Sequence, residues 1–280
     1  MRLYSINTGL FKLDGGAMHG VVPKTIWNKL NPADENNLCI FAMRCMLIEC
    51  ENRLILIDTG CGDKQDASFF KHYYLHGNDT LLSSIEKAGF GSNEITDVIL
   101  THMHFDHVGG ATIWNSDRTK AVPTFKNAKY WVHEQHWNWA LRPNPREGAS
   151  FLKENFMPIQ ELGVLNFIKD NHSMGIPEIK FKIVNGHTEA MLIPLVQYRE
   201  HTVCFMADLI PTIVHLPLPY LASYDIRPLD AMIEKKAFLE EAVANNYLLF
   251  YEHDAFKEMS RLKMTEKGVR ASDLLKLNEI

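Results

Sequence analysis

The ten residues Thr101-His102-Met103-His104-Phe105-Asp106-His107-Val108-Gly109-Gly110 constrain this chain more than any other stretch. Asp97-Val98-Ile99-Leu100 ahead of them reads as a short buried strand, and the paired glycines behind them mark a tight turn. Three imidazoles and one carboxylate therefore leave the C-terminal end of a strand within six consecutive residues. In extended backbone, side chains two apart point the same way, so His102 and His104 are placed to grip one ion. Asp106 and His107 follow where the chain begins to turn, and face a second point nearby. Nitrogen and oxygen donors of this kind suit zinc and other first-row divalent metals. Crowding four such side chains is costly unless an ion offsets their desolvation. The stretch reads as a metal site.

The His-x-His-x-Asp-His run resembles the metal motif of the metallo-β-lactamase-fold hydrolases. That family's later ligands are matched here, at turns or after apolar runs, by His187 in Gly186-His187-Thr188, Asp208 in Met206-Ala207-Asp208, and His253 after Leu248-Leu249-Phe250-Tyr251. These later residues stand in the order in which that family adds a third histidine, a bridging aspartate and a last histidine. The resemblance extends from the apolar run ending in Asp58 to His253. It implies a first metal on His102, His104 and His187, a second on Asp106, His107 and His253, and Asp208 between them. The cofactors it implies are two divalent ions, zinc foremost, with iron or manganese suiting the same donors. Such a pair holds a hydroxide by lowering the water pKa to about 7, and that hydroxide is the nucleophile. Asp106 and Asp208 are then the candidates for moving the proton. Asp58 acquires the role of a group that steadies the metal-binding loop from behind, although its position alone also admits a cap on the following turn.

Taken in order, residues 1–13 alternate like a strand, and residues 14–37 form a long irregular segment. That segment carries Met18, His19, Val22 and Trp27, too apolar for a disordered linker; it reads as a wall or lid over the site, or as a loop packed on the surface. Two apolar runs around Cys50-Glu51-Asn52 predict a hairpin, and residues 79–88 a helix ended by Gly89. Residues 123–132 read as strand and 133–140 as a short helix. In it His133 and His136 are three apart, not the four a zinc-protease helix needs, so they are expected at the surface. Residues 141–178 are expected to be a loosely packed excursion. Strands are predicted at 179–184, 190–196, 202–206 and 247–251. A helix at 229–243 carries Met232, Ile233, Phe238, Leu239 and Val243 on one stripe. This alternation argues an α/β chain with two mixed sheets covered by outer helices, a four-layer αββα sandwich, in a single domain over 1–280.

At 280 residues, the chain is long enough to bury most of its apolar surface. Its formal charge of −5, without a basic track, argues against a nucleic-acid partner. Five cysteines with no Cys-x-x-Cys pair suggest reduced thiols, and no apolar run approaches a membrane span, so a cytoplasmic location is expected. The expected partner is a small-molecule substrate, with a homodimer left open. Within the family, the chain is most similar to the lactonase and phosphotriesterase-like branch. That implies cleavage of a small ester, lactone or phosphotriester. Lactonases of that branch often carry a tyrosine three residues after the bridging aspartate; here Pro211 stands there, and His215, Tyr220 or Tyr224 are the substitutes in the following loop. Two alternatives stay open: a thioester hydrolase of the glyoxalase II type, with a basic, helical C-terminal region, and a non-catalytic metal-binding protein.

Overall fold

The alternation over residues 1–13 becomes strand β1 (Arg2–Asp14), which opens a computed structural model describing all residues from Met1 to Ile280. The supposed irregular segment then forms two short helices, α1 (Gly15–His19) and α2 (Lys24–Trp27), before β2 (Leu38–Cys50) and β3 (Arg53–Ile57) make the expected antiparallel hairpin. Glu51 at its tip adopts a left-handed φ of 52°, as a two-residue connection requires. The chain divides into two compact units, Met1–Gly9 with Met43–Gly175, and Leu10–Ala42 with Ile176–Ile280.

The first unit is built on a six-stranded sheet in the order β1-β2-β3-β4-β7-β8, with β4 at Asp97–Ile99, β7 at Lys129–His133 and β8 at Leu165–Ile168. A small separate hairpin, β5 (Thr112–Trp114) and β6 (Ala121–Pro123), lies between β4 and β7 in sequence. Strands β3, β4, β7 and β8 run parallel. Parallel strands are covered on both faces, which explains why Leu54-Ile55-Leu56-Ile57 is apolar without alternation and buried throughout. One face, through Leu54, Leu56, Val98, Leu100, Tyr130 and Val132, packs with Leu81 and Ile85 and with Trp137. Each such side chain contributes about 1.5–3 kcal/mol on burial. Leu81 and Ile85 lie on α4 (Leu81–Lys87), which follows a single turn, α3 (Ala67–Phe70). The Thr80 hydroxyl accepts from the Ser83 N–H at the start of α4, and Gly89 ends it at φ 95°.

The stretch 141–178 is not the loose excursion expected from its prolines and charges. It holds α7 (Met157–Glu161) and the edge strand β8, and it sends Phe151, Phe156 and Ile159 into the core. Their spacing matches no single helix or strand period, so the burial was invisible locally. Ahead of it, α5 (Phe105–Val108) and α6 (Glu134–Ala140) follow β4 and β7.

The second unit carries a six-stranded sheet in the order β14-β13-β12-β11-β10-β9. Strands β9 (Ile179–Val184), β10 (Met191–Tyr198) and β11 (His201–Phe205) are antiparallel neighbours, β12 (Leu248–Phe250) runs parallel to β11, and β13 (Met259–Thr265) and β14 (Gly268–Leu275) close the edge as a hairpin. Helix α8 (Pro228–Ala244) buries Ala231, Lys235, Phe238, Leu239 and Ala242. The predicted stripe was rotated: Ile233 is 65% exposed, and the buried face includes a lysine. Lys235 is tolerated there because its ammonium donates to the carbonyls of His215, Pro217 and Tyr220 at 2.9–3.0 Å. No helix is long and apolar enough to cross a membrane.

Candidate metal centre

In both units the metal-type side chains sit just beyond the C-terminal ends of parallel strands, where open sheets of this kind gather their ligands. In the first unit these are Asp58 after β3 and His102 after β4. In the second they are Asp208 after β11 and His253 after β12.

His102 and His104 leave β4 in extended backbone, and α5 is a single turn with His104 at its N-cap and Asp106 and His107 inside it. The Nε2 of His102 and the Nδ1 of His104 lie 3.1 Å apart. The Asp58 carboxylate, fully buried, anchors this loop. Its Oδ1 accepts from the Thr101 N–H at 2.8 Å, and its Oδ2 from the Thr101 hydroxyl at 2.6 Å and His107 Nδ1 at 3.1 Å. The Thr101 hydroxyl, having given its proton to Asp58, accepts from His102 Nδ1 at 3.1 Å. One carboxylate thus orients His107 directly and His102 through Thr101. The turn cap that the position also admits is not its main work. Asp58 itself sits at φ 56°, and Thr59 donates twice to the His107 carbonyl, at 2.8 Å from both its N–H and its hydroxyl. The two backbones approach so closely that a Cβ on Gly109 would collide with the Cys61 carbonyl, and one on Gly110 with that of Thr59. The paired glycines are there for that contact as well as for the turn.

Two residues that sequence reasoning missed complete this half. His136 is fully buried rather than at the surface, and its Nε2 accepts from the Met103 N–H at 2.8 Å, bracing the loop between the two ligand-type histidines. Glu147, from the supposed excursion, places Oε1 3.4 Å from His104 Nε2. The failed zinc-protease spacing drew attention to His136 for the wrong reason, and nothing local marks Glu147.

In the second unit, Asp208 points one oxygen at each of two histidines: Oδ2 lies 3.0 Å from His187 Nε2 and Oδ1 3.1 Å from His253 Nε2. The outer nitrogens are again held. His187 Nδ1 is 2.9 Å from Asp225, and His253 Nδ1 donates to the Ala42 carbonyl at 2.8 Å. Burial opposes a charge on His187, but Asp208 and Asp225 outweigh it and raise its pKa to about 10. The His187 turn is fastened to α8. Glu234 accepts from the N–H groups of Asn185 and Gly186 at 2.7 and 2.9 Å, and Gly186 is required because a Cβ there would strike Ala231. Asp225 and Glu234 lie 38 and 48 residues from their partners, so no spacing rule could have found them.

The five ligand-type histidines therefore share one arrangement. Each has its outer nitrogen on an oxygen, which is how metal-binding imidazoles are oriented, and the other nitrogen of His187 and of His253 faces Asp208. His102 Nε2 and His104 Nδ1, 3.1 Å apart, converge on one place. This donor set fits divalent metal.

A family model described as the metallo-beta-lactamase superfamily matches residues 44–253. The chain belongs to that superfamily. Among solved structures of the metallo-beta-lactamase fold, a probable metal-dependent hydrolase from Staphylococcus aureus is similar over 98% of this chain and 95% of its own, with a TM-score of 0.88 at 24% identity. A dizinc quorum-quenching lactonase bound to its product is similar over 98% and 95%, with a TM-score of 0.78 at 20% identity. By sequence, an N-acyl homoserine lactonase of Bacillus thuringiensis is 26% identical over 119 residues, 39% of this chain and 43% of its own. A probable metallo-hydrolase of Mycobacterium tuberculosis is 32% identical over 74 residues, 23% of this chain. That match spans about a quarter (24%) of the mycobacterial protein's length. The expected fold, with two mixed sheets, is the one observed, and the metal-type residues from Asp58 to His253 lie within the span that the family model matches.

Of the residues suggested for a substrate pocket, the second unit brings Met18, His19 and His215 together. His215 Nε2 donates to the Met18 carbonyl at 2.8 Å, its Nδ1 meets the Thr212 hydroxyl at 2.8 Å, and His19 stacks on both His215 and Trp27. Burial lowers the His19 pKa to about 4 and that of His215 to about 3. Helix α1 is further tied by the Ser223 N–H, 2.7 Å from the Ala17 carbonyl. These bonds suit a fixed wall better than a swinging lid. Val22 is buried beside it, Tyr220 is half-buried, and Tyr224 is 43% exposed. Pro211 accepts the His253 N–H at 3.1 Å through its carbonyl, so it supports a ligand-type histidine where a lactonase tyrosine is expected.

Proposed function

We propose that the chain is a binuclear metal-dependent hydrolase that opens a small, largely uncharged ester or lactone, with phosphotriesters in the same class. His102, His104 and His187 would hold one ion, Asp106, His107 and His253 the other, and Asp208 would serve both. The observation that carries this reading is the shared preparation of the five imidazoles, with Asp208 aiming one oxygen at each of two of them. Two divalent ions bound by such donors supply Lewis acidity and a water acidified to a pKa of about 7.

The chain's own residues do the rest. Asp58, Asp225 and the Ala42 carbonyl keep His107, His187 and His253 in the tautomer that presents Nε2. Asp208 and Asp106 are the carboxylates available to pass a proton to the leaving alkoxide. The wall made by Met18 of α1 and Val22 just after it would offer apolar surface to the substrate, as small-molecule sites generally do. The lactonase relatives support the lactone arm. Retention of all seven donors weighs against a non-catalytic role. The single domain over 1–280 is retained as a proposal, since each unit draws on two separate segments.

Zinc-loaded protein tested against lactones, aryl esters, phosphotriesters and thioesters checks the reading. Turnover of lactone or ester that chelator abolishes and zinc restores is expected. Zinc-loaded protein that turns over none of them, or turnover indifferent to chelator, would overturn it.

A further inference from the structure

We propose that Glu147 holds His104 in the tautomer that ligates through Nδ1, and that its negative charge tightens metal binding there. The proposal rests on the reading of His102 and His104 as metal ligands. His104 differs from the other four histidines because it turns Nε2, not Nδ1, to its outer acceptor, Glu147 from the stretch beyond α6. Its Nε2 lies 3.4 Å from Glu147 Oε1, and a carboxylate only accepts, so that nitrogen carries the hydrogen. The lone pair then falls on Nδ1, 3.1 Å from His102 Nε2. His102 donates from Nδ1 to Thr101, so its Nε2 also presents a lone pair. Two lone pairs aimed at one place are what a cation needs.

Glu147 is built for this position. It is only 3% exposed, its Oε2 accepts from Trp139 Nε1 at 2.8 Å and also from the Asn144 amide, and its own N–H donates to Asn144 Oδ1 at 3.1 Å. Phe151, four residues on, places its ring 4.9 Å from that of His104. Residues 144–151 thus fold over the outer face of His104. A carboxylate on the far nitrogen of a ligating imidazole raises its basicity, and loss of such a partner weakens metal binding by about 10–100-fold.

Two measurements on the full chain test this. Long-range proton–nitrogen NMR of metal-free protein reads the His104 tautomer, and competition with a chromogenic chelator reads zinc affinity. Wild type should carry the His104 hydrogen on Nε2. Glu147→Leu should lose zinc affinity by about tenfold or more. Glu147→Gln keeps a carbonyl acceptor but no charge, so it should keep the tautomer and bind zinc severalfold more weakly. This variant is the safeguard if the leucine protein does not fold. A merely structural Glu147 would shift the unfolding midpoint and leave both readouts alone. Wild-type zinc affinity in either folded variant, or a wild-type His104 protonated on Nδ1, overturns the proposal while the metal centre stands. A wild-type chain that takes up no zinc overturns the metal reading and the proposal with it.

Discussion

Asp58→Asn separates preparation of the metal centre from stability of the fold. The wild-type carboxylate is fully buried and accepts three hydrogen bonds: two from Thr101, and one from His107 Nδ1. Asparagine has the same shape, but its amide nitrogen only donates. Oδ1 can continue to take the Thr101 N–H. The amide nitrogen then falls near the Thr101 hydroxyl and His107 Nδ1, where acceptors are now required. His107 can satisfy it only by moving its hydrogen to Nε2, the atom needed for metal. The Thr101 hydroxyl must turn away, and it then competes with His102 instead of receiving from it. One substitution therefore disturbs two ligands. At about 10–100-fold per lost outer partner, zinc affinity should fall by roughly a hundredfold, or about 2.7 kcal/mol. The metal-free fold should lose only about 1–2 kcal/mol, because shape is kept and one hydrogen bond remains. Chelator competition reads the first quantity and urea unfolding of metal-free protein the second. A variant that binds zinc within twofold of wild type would refute the tautomer argument. So would a fold that collapses while the residual folded fraction binds zinc normally.

Other perturbations follow from the same geometry. Asp208→Asn should keep the fold yet lose one metal equivalent and about a hundredfold or more in rate, since an amide cannot balance two cations; full metal content with near-native turnover would count against it. His19 is buried, stacked, and without a partner at either ring nitrogen. Its pKa of about 4 lies below the value of about 6.5 in the unfolded chain, so unfolded protein takes up a proton that the fold refuses. Stability should therefore fall as pH drops from about 6.5 towards 4, and at pH 5 His19→Phe should gain about 2 kcal/mol on wild type relative to pH 7. Parallel unfolding curves at the two pH values would contradict that. Lys235→Met strands three carbonyls but also removes a buried amine whose pKa burial has lowered to about 7, for a net destabilisation of about 1–3 kcal/mol by urea titration. An unchanged midpoint would mean that the clamp on residues 215–220 is idle.

The ligand-type residues and the strands that deliver them were legible because they depend on local facts. His102, His104, Asp106 and His107 are neighbours in sequence, and Leu54–Ile57 and Leu248–Phe250 are apolar runs that end at a turn. A strand buried on both faces announces itself in a few residues, and so does a cluster of donors that no surface needs. Helix α4 was equally plain from its spacing and its glycine stop. The partners of those donors were not. Glu147 reaches His104 across 43 residues and Asp225 reaches His187 across 38; each is an ordinary carboxylate in a polar stretch until the fold brings an imidazole to it. The buried face of α8 was misjudged for the same reason. Hydropathy ranks Ile233 above Lys235, but three carbonyls from the loop of residues 215–220 make the lysine the better buried residue. Which atoms are able to bind metal is written in residue types and their spacing. Which nitrogen of each histidine is turned outward and which inward depends on a hydrogen-bond acceptor, and only tertiary structure brings Glu147 and Asp225 within reach of theirs.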